Sequence, residues 1–256
     1  MKLSNAEGWN QTEKDWKLLI ENPQNTCLIA EIDSKVIGTT TAINYSNEVA
    51  WIGMVLVDKE YRGLGVSKLL IENILKKLES CKSVKLDATP VGQQVYKKFG
   101  FEDEYLITRM INSSMTGLLT KDYNVLPEPI QVKHIKEIAA FDEHIFGANR
   151  IQLIEYMIRQ YPGKAWLLKR NNQITGFSLG RDGNKYNHIG PVMASTTSDT
   201  KILISKALEE LYNQSVVIDV LNDKEDLINW LNSIGFIRQR YFIRMYKKEN
   251  PSPGEI

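Results

Sequence analysis

The stretch Val49-Ala50-Trp51-Ile52-Gly53-Met54-Val55-Leu56-Val57 runs straight into Asp58-Lys59-Glu60-Tyr61-Arg62-Gly63-Leu64-Gly65-Val66-Ser67. The first nine residues are almost wholly apolar and rich in β-branched side chains, the pattern of a strand buried on both faces. From 66 to 78, Val66, Leu69, Leu70, Ile74, Leu75 and Leu78 share one face of a helix. Strand, glycine loop and helix therefore follow one another without a break, which is an arrangement suited to an anion. Glycines let the backbone turn tightly and bring successive N–H groups onto one point. The helix start adds unsatisfied N–H donors and the positive end of its dipole, and Arg62 adds a fixed charge. A pyrophosphate fits such a loop; a plain strand-to-helix turn uses the same residues.

Outward from this core, the spacing predicts a helix over 12–20, with Thr12 as N-cap and Asn22-Pro23 as its stop. Strands over 27–31 and 36–43 form a hairpin around Asp33-Ser34-Lys35. A strand over 84–88, a short helix over 93–98 and a strand over 105–110 complete a unit spanning 1–111. Residues 112–131, with Ser113, Ser114, Thr116, Gly117, Pro127 and Pro129, read as a linker.

An internal repeat follows. Gly100-Phe101, seven residues and Arg109-Met110 recurs as Gly235-Phe236, seven residues and Arg244-Met245. Val36-Ile37-Gly38 aligns with Ile174-Thr175-Gly176, and Trp51 through Val55 with His188 through Val192. The order and the nearly constant offset make the chain two copies of one α/β unit, the second over 132–248, with a tail at 249–256 that has little to hold it beyond Pro253.

The composition excludes several classes. Of 256 residues, 43% are apolar and 25% charged, and the net charge is +1, which gives no electrostatic case for nucleic acid or a membrane surface. Two cysteines are too few for a disulfide framework or a zinc cluster, no apolar run reaches a membrane span, and the start lacks a signal core. The expectation is a soluble cytoplasmic protein without metal, nucleic-acid or membrane partner, monomeric or homodimeric.

The loop is not the dinucleotide Gly-x-Gly-x-x-Gly, because Lys68 stands at the third glycine. It resembles the Gln/Arg-x-x-Gly-x-Gly/Ala signature of the GCN5-related N-acetyltransferases (GNAT), with Arg62 first, Gly65 fourth and Ser67 in place of the sixth residue. Asp87-Ala88-Thr89-Pro90 and Val95-Tyr96-Lys97-Lys98-Phe99-Gly100-Phe101 resemble the family's second motif. Phe146 through Arg150 and Ile189-Gly190-Pro191 resemble the divergent second half of a two-domain bacterial subgroup. The family's first strand has no room before Leu3, so the resemblance implies a trimmed or late start.

That resemblance implies two tandem units, each a mixed, mostly antiparallel sheet with a splayed central strand pair flanked by helices. It implies acetyl-coenzyme A (acetyl-CoA) as cosubstrate and transfer to the amine of a small-molecule or amino-acid-like acceptor, by direct attack in a ternary complex. Backbone groups of Val55, Leu56 and Val57 would hold the pantetheine arm, and Arg62, Gly63, Leu64, Gly65, Val66 and Ser67 the pyrophosphate. Tyr96 matches the family's proton donor to the thiolate; it also reads as a helix-face tyrosine packing on Phe99 and Leu70. Among Glu31, Glu48, Asp87 and Asp142, Asp87 is the leading candidate base. Trp9, Asn10 and Gln11 either line the acceptor pocket or begin a helix. Asp142, Arg150, His188, Arg181 or Asp182 of the second copy are candidates for the acceptor, whereas His134 and His144 read as surface residues. The second copy has Ala194-Ser195-Thr196-Thr197-Ser198-Asp199 where the glycine loop would be and Leu231 in place of Tyr96, so it reads as a pseudo-domain. A non-catalytic acyl-CoA-binding module and a protein N-acetyltransferase are the alternative readings.

Overall fold

Short turns with left-handed residues set the first elements. In this computed structural model, which describes residues 1–114 and 125–250, Asp33 and Ser34 (φ 49° and 62°) join β1 (Thr26–Ile32) to β2 (Lys35–Tyr45). Ser46 and Asn47 (φ 54° and 61°), followed by Glu48, whose N–H donates to the Tyr45 carbonyl at 3.0 Å, join β2 to β3 (Val49–Val57) in a three-residue hairpin connection. Two helices precede this meander. The first, α1 (Lys2–Ala6), was not expected from the polar start; the second, α2 (Glu13–Glu21), is capped by Thr12, whose N–H donates to Asp15 at 2.7 Å. After β3 come α3 (Val66–Lys77), β4 (Ser83–Ala88), α4 (Pro90–Lys97) and β5 (Glu102–Asn112). Along β3 buried and half-buried residues alternate, so only one face is fully covered, against the expectation of two.

The second half repeats the order with a helical pair in front. Its elements are β6 (Glu128–Pro129), α5 (Ile135–Phe146), α6 (Ile151–Gln160), β7 (Trp166–Arg170), β8 (Gln173–Arg181), β9 (Asn187–Ala194), α7 (Thr197–Glu209), β10 (Val216–Leu221), α8 (Glu225–Ser233) and β11 (Ile237–Lys248). The repeat is visible in single hydrogen bonds: the Phe101 N–H donates to the Tyr96 carbonyl at 3.2 Å, and the Phe236 N–H to the Leu231 carbonyl at 3.0 Å.

The compact units do not coincide with the two sequence halves. The first unit holds residues 1–105 and takes in 243–250 from the chain's end; the second holds the described residues of 106–242. Both β5 and β11 therefore begin in one unit and finish in the other. In the first unit β11 pairs antiparallel with β4, Asp87 opposite Arg244 and Leu86 opposite Met245. In the second, β5 pairs antiparallel with β10, Asp219 opposite Arg109 and Ile218 opposite Met110. The exchanged strands occupy the same register in each copy. The boundary expected at 111 thus falls inside β5, and Glu249 and Asn250 of the expected tail are tied to the first unit through Lys82 and Lys85. The expected linker lies partly, and the rest of the tail wholly, outside the described residues.

Each core is completed by a strand from the other half of the sequence. Met245 is wholly buried with Ile52, Ile74, Val84, Leu86 and Phe101, and Met110 with Ile189, Leu203, Val216, Ile218 and Leu231. Truncating a buried methionine costs about 2–5 kcal/mol. Met245→Ala is therefore expected to lower amide-exchange protection over 70–88 more than over 202–220, and Met110→Ala the reverse. Hydrogen exchange read by mass spectrometry checks this; protection lost within each methionine's own sequence half would contradict the exchange.

Candidate active site

β3 and β4 are paired in parallel only from Val49–Ile52 against Ser83–Leu86. Beyond Ile52 the two strands part. The cause is a bulge: Thr39 faces Leu56 and Thr41 faces Gly53, so Met54 and Val55 together oppose Thr40, one extra residue on β3, and Met54 takes the left-handed φ of 53°. Threonine hydroxyls hold the bulge, Thr39 donating to the Met54 carbonyl at 2.8 Å and Thr41 to the Gly53 carbonyl at 3.3 Å. Val55, Leu56 and Val57 therefore lie on a strand whose β4-facing side is open, as an added strand requires.

The loop after β3 presents donors. Gly63 and Gly65 have φ of 77° and 82°, and a Cβ built on either meets nothing within 4 Å. The first helical bond of α3 is Leu69 N–H to the Gly65 carbonyl. The amides of residues 63–68 consequently donate to no backbone carbonyl among the described residues. Arg62 stands beside them, half exposed, its Nε donating to the Val57 carbonyl at 3.3 Å and its Nη2 to Glu7 at 2.6 Å. Glu7 went unnoticed in the sequence because nothing local ties it to a loop 55 residues away.

Tyr96 lies on α4 and packs, with Val55, Leu75 and Phe99, against the core that contains Ile74 and Phe101; its ring meets Phe101 edge-on at 5.9 Å. Gly92, one turn earlier, leaves room for that ring, since a Cβ there would come within 3.2 Å of it. The Tyr96 hydroxyl has no hydrogen bond among the described residues, and burial pushes the phenol up to about 12.

Asp87 points to the opposite face of β4. Its two oxygens accept from Arg244 Nε at 2.8 Å and Nη2 at 3.1 Å. The same guanidinium donates to the Tyr105 hydroxyl at 2.6 Å and lies 4.4 Å from the Trp51 ring centre. Burial works against the Arg244 charge, but Asp87 and Tyr105 more than offset it and raise its affinity for the proton. Arg244 and Tyr105 were missed as site residues; the repeated Arg109-Met110 and Arg244-Met245 pairs were the available signal.

The remaining candidates are dispersed. Trp9, Asn10 and Gln11 form the connection between α1 and α2, Asn10 being buried. Glu31 is exposed on β1 and Glu48 pairs with Lys82 at 2.8 Å. Asp142 and Arg150 form a buried bidentate pair with each other at 2.8 and 2.5 Å, Arg150 resting on Phe146 at 3.8 Å, so they serve the packing of α5 on α6 rather than an acceptor. Asp182 pairs with Lys164. His188 sits on β9 beside Asp219, Nε2 to Oδ2 3.7 Å. His134, expected at the surface, is buried, with Nδ1 accepting from the Gln131 N–H at 3.1 Å.

The equivalent of the glycine loop in the second unit is closed. Thr196 caps α7 by accepting from the Asp199 N–H at 3.1 Å, and buried Asp199 is gripped by Arg170 at 2.6 Å. Leu231, in place of Tyr96, is fully buried in the core.

Both halves match acetyltransferase (GNAT) domain models, one over residues 4–109 and another over 138–255. The chain belongs to the GNAT acyltransferases, as a tandem of two such domains. It is similar to a holothin acyltransferase of Pseudoalteromonas sp. (strain SANK 73390), 23% identical over 96% of this chain and 83% of that protein. It is also similar to the uncharacterized N-acetyltransferase YitH of Bacillus subtilis (strain 168), at 24% identity over 98% of this chain and 88% of that one. Among solved structures, an acetyltransferase described as putative from Pyrococcus horikoshii superposes with TM-score 0.76 at 23% identity, covering 94% of this chain and 79% of that one. A tandem GNAT protein from the clavulanic acid biosynthesis pathway gives 0.67 at 12% identity, covering 98% and 93%. These structures share the fold of this tandem GNAT enzyme.

The contrast between the two loops predicts a double dissociation. Gly65→Asp places a like charge and a strained left-handed residue in the open loop, at a cost of about 1–2 kcal/mol in stability. It is expected to abolish coenzyme A binding. Asp199→Ala removes the partner of Arg170 and is expected to lower stability modestly, since the freed guanidinium is solvated, while leaving coenzyme A affinity unchanged. Calorimetric titration and denaturant melts of both variants check it; equal loss of affinity would contradict a single donor site.

Proposed function

We propose that the first unit binds acetyl-CoA along β3 and the 62–68 loop and transfers the acetyl group to the amine of a small acceptor in a ternary complex. The observation that carries this reading is the run of six unpartnered amides at 63–68, placed beside Arg62 at the end of a bulged, splayed strand. Backbone donors grouped at a helix start suit a pyrophosphate. The relative named for acyl transfer, a holothin acyltransferase, supports the reaction class.

The cosubstrate supplies an activated thioester; the rest is the work of this chain. Val55, Leu56 and Val57 offer backbone hydrogen bonds on the side where β4 has moved away, and an N–H there polarises the thioester oxygen. Tyr96 stands on the α3 face of the sheet with a protonated phenol and delivers its proton to the departing thiolate. Burial keeps that phenol neutral, so the donor is loaded throughout the physiological range. On the opposite face Asp87, held by Arg244 and flanked by Trp51 and Tyr105, receives the acceptor amine or a water that takes its proton. Acid and base thus lie on opposite faces of the splayed pair, where leaving group and nucleophile depart and approach. The setting in which acetyl-CoA and free thiols coexist is the cytoplasm, and Cys27 and Cys81 are both unpaired.

Coenzyme A release measured over a panel of small amines, amino acids and peptides tests the activity; saturable binding with no turnover on any of them would favour a binding module instead. Tyr96→Phe keeps the ring and its packing on Phe101 but removes the donor. Acetyl-CoA affinity is expected to hold and the acetylation rate to fall by about 10²-fold. With the phenol near 12, any alkaline fall of the wild-type rate below about pH 11 comes from another group and persists in the Phe variant. An unchanged single-turnover rate in Tyr96→Phe would remove Tyr96 from the chemistry.

A further inference from the structure

Glycine inside a strand weakens it, and a fold keeps one there where a neighbour crowds the Cβ position or something else must come close. Crowding accounts for two strand glycines of this chain. A Cβ on Gly38 of β2 would meet Leu70 and Val66 at 3.0 Å, and one on Gly176 of β8 would meet the Met193 carbonyl at 2.8 Å and Leu203 at 2.9 Å. Gly53, inside β3, is different. Its φ lies outside the left-handed region, and a Cβ built on it meets only the Thr41 hydroxyl, at 3.9 Å. The bulge does not need this glycine either, because the left-handed residue there is Met54. Half-buried Gly53 thus leaves a space that the protein itself does not fill.

The position of that space is specific. Ile52 opposite Leu86 is the last β3–β4 pair, so Gly53 is the first residue of β3 past the point where the strands part. Four residues of strand, about 13 Å, separate it from Val57 at the head of the glycine loop. A donor whose pyrophosphate lies in the loop and whose arm runs along Val57, Leu56 and Val55 therefore brings its thioester end to Gly53. The second copy supplies a contrast. There the repeat puts Gly190 at this position, and a Cβ on it would lie 3.4 Å from Nε2 of His188, two residues earlier. In the first copy the residue two earlier is Trp51, whose ring lies on Arg244 at 4.4 Å, and none of its atoms comes within 4 Å of the Gly53 Cβ position. We propose that Gly53 is the floor of the donor's acyl pocket and admits straight-chain acyl groups longer than acetyl, such as propionyl and butyryl. Ile43 and Trp51, opposite each other in register and on the same face as Gly53, give that pocket apolar walls. The proposal rests on the donor-site reading of β3 and the loop.

The test is calorimetric titration of the full chain with coenzyme A, acetyl-CoA and butyryl-CoA, coenzyme A being the reference without an acyl group. The wild type is expected to bind butyryl-CoA at least as tightly as acetyl-CoA. Gly53→Val fills the space with a branched side chain. It is expected to weaken butyryl-CoA by at least about tenfold relative to coenzyme A, the worth of a methylene or two in an apolar pocket, with Gly53→Ala intermediate. An extended strand favours a side chain over glycine, so both variants are expected to melt no lower than the wild type. Wild-type binding of butyryl-CoA more than about tenfold weaker than that of acetyl-CoA would overturn the proposal. So would an equal loss of all three ligands in Gly53→Val, or a loss of none. Failure of coenzyme A itself to bind the wild type would overturn the donor-site reading as well; coenzyme A binding without the acyl effect would overturn only the pocket.

Discussion

Two bidentate arginine–aspartate pairs, Arg244 with Asp87 and Arg109 with Asp219, join strands that lie far apart in the sequence, and the architecture depends on them. Each arginine comes from a strand that completes the unit belonging mainly to the other half of the chain. Their contribution to stability is modest, because desolvating charges offsets much of their attraction. Their larger effect is on register. A slip of one residue would turn every side chain of an exchanged strand to the wrong face, taking Met245 or Met110 out of its core. A two-pronged guanidinium–carboxylate match is satisfied in one register only.

Because β5 and β11 are shared out in this way, neither half of the sequence holds all the strands of its own unit. Buried Lys85 underlines the point: on β4, it is satisfied by Glu104 at 2.9 Å and by Asn250 at 2.7 Å, the latter 165 residues away. Burial lowers the Lys85 pKa, and Glu104 opposes that. Through Glu249 and Asn250 the chain after β11 is therefore tied to the first unit.

On a shared frame the two copies have diverged at the loop after the bulged strand and on the helix that follows the next strand. Both keep the bulged strand, the helix after it and the aspartate on the following strand. The first copy leaves its loop amides open, while the second fills the equivalent place with the Thr196 cap and the Arg170–Asp199 pair. The first has Tyr96 on its fourth helix, and the second has Leu231 at that position, fully buried. In the second copy the place equivalent to the open loop is filled by ordinary capping and packing, and its sheet face carries Arg181 and Arg240 where the first has Ile43 and Tyr105.

What the sequence determined by itself was local. The apolar run of β3, the glycine loop and the periodicity of α3 are set by steric and hydrophobic rules acting over a dozen residues, and the family resemblance followed from them. The repeat told that there are two units. Burial of β3 on one face only, the short helix α1, and Glu7 beside Arg62 needed the tertiary structure, because each depends on which distant segment packs there. The same holds for the site. Tyr96 and the loop could be read from neighbouring residues, but the Asp87–Arg244–Tyr105 cluster joins three strands across 157 residues. Which arginine meets which aspartate was decided by strand exchange, since hydrogen-bonded pairing between strands carries no marker in either strand alone.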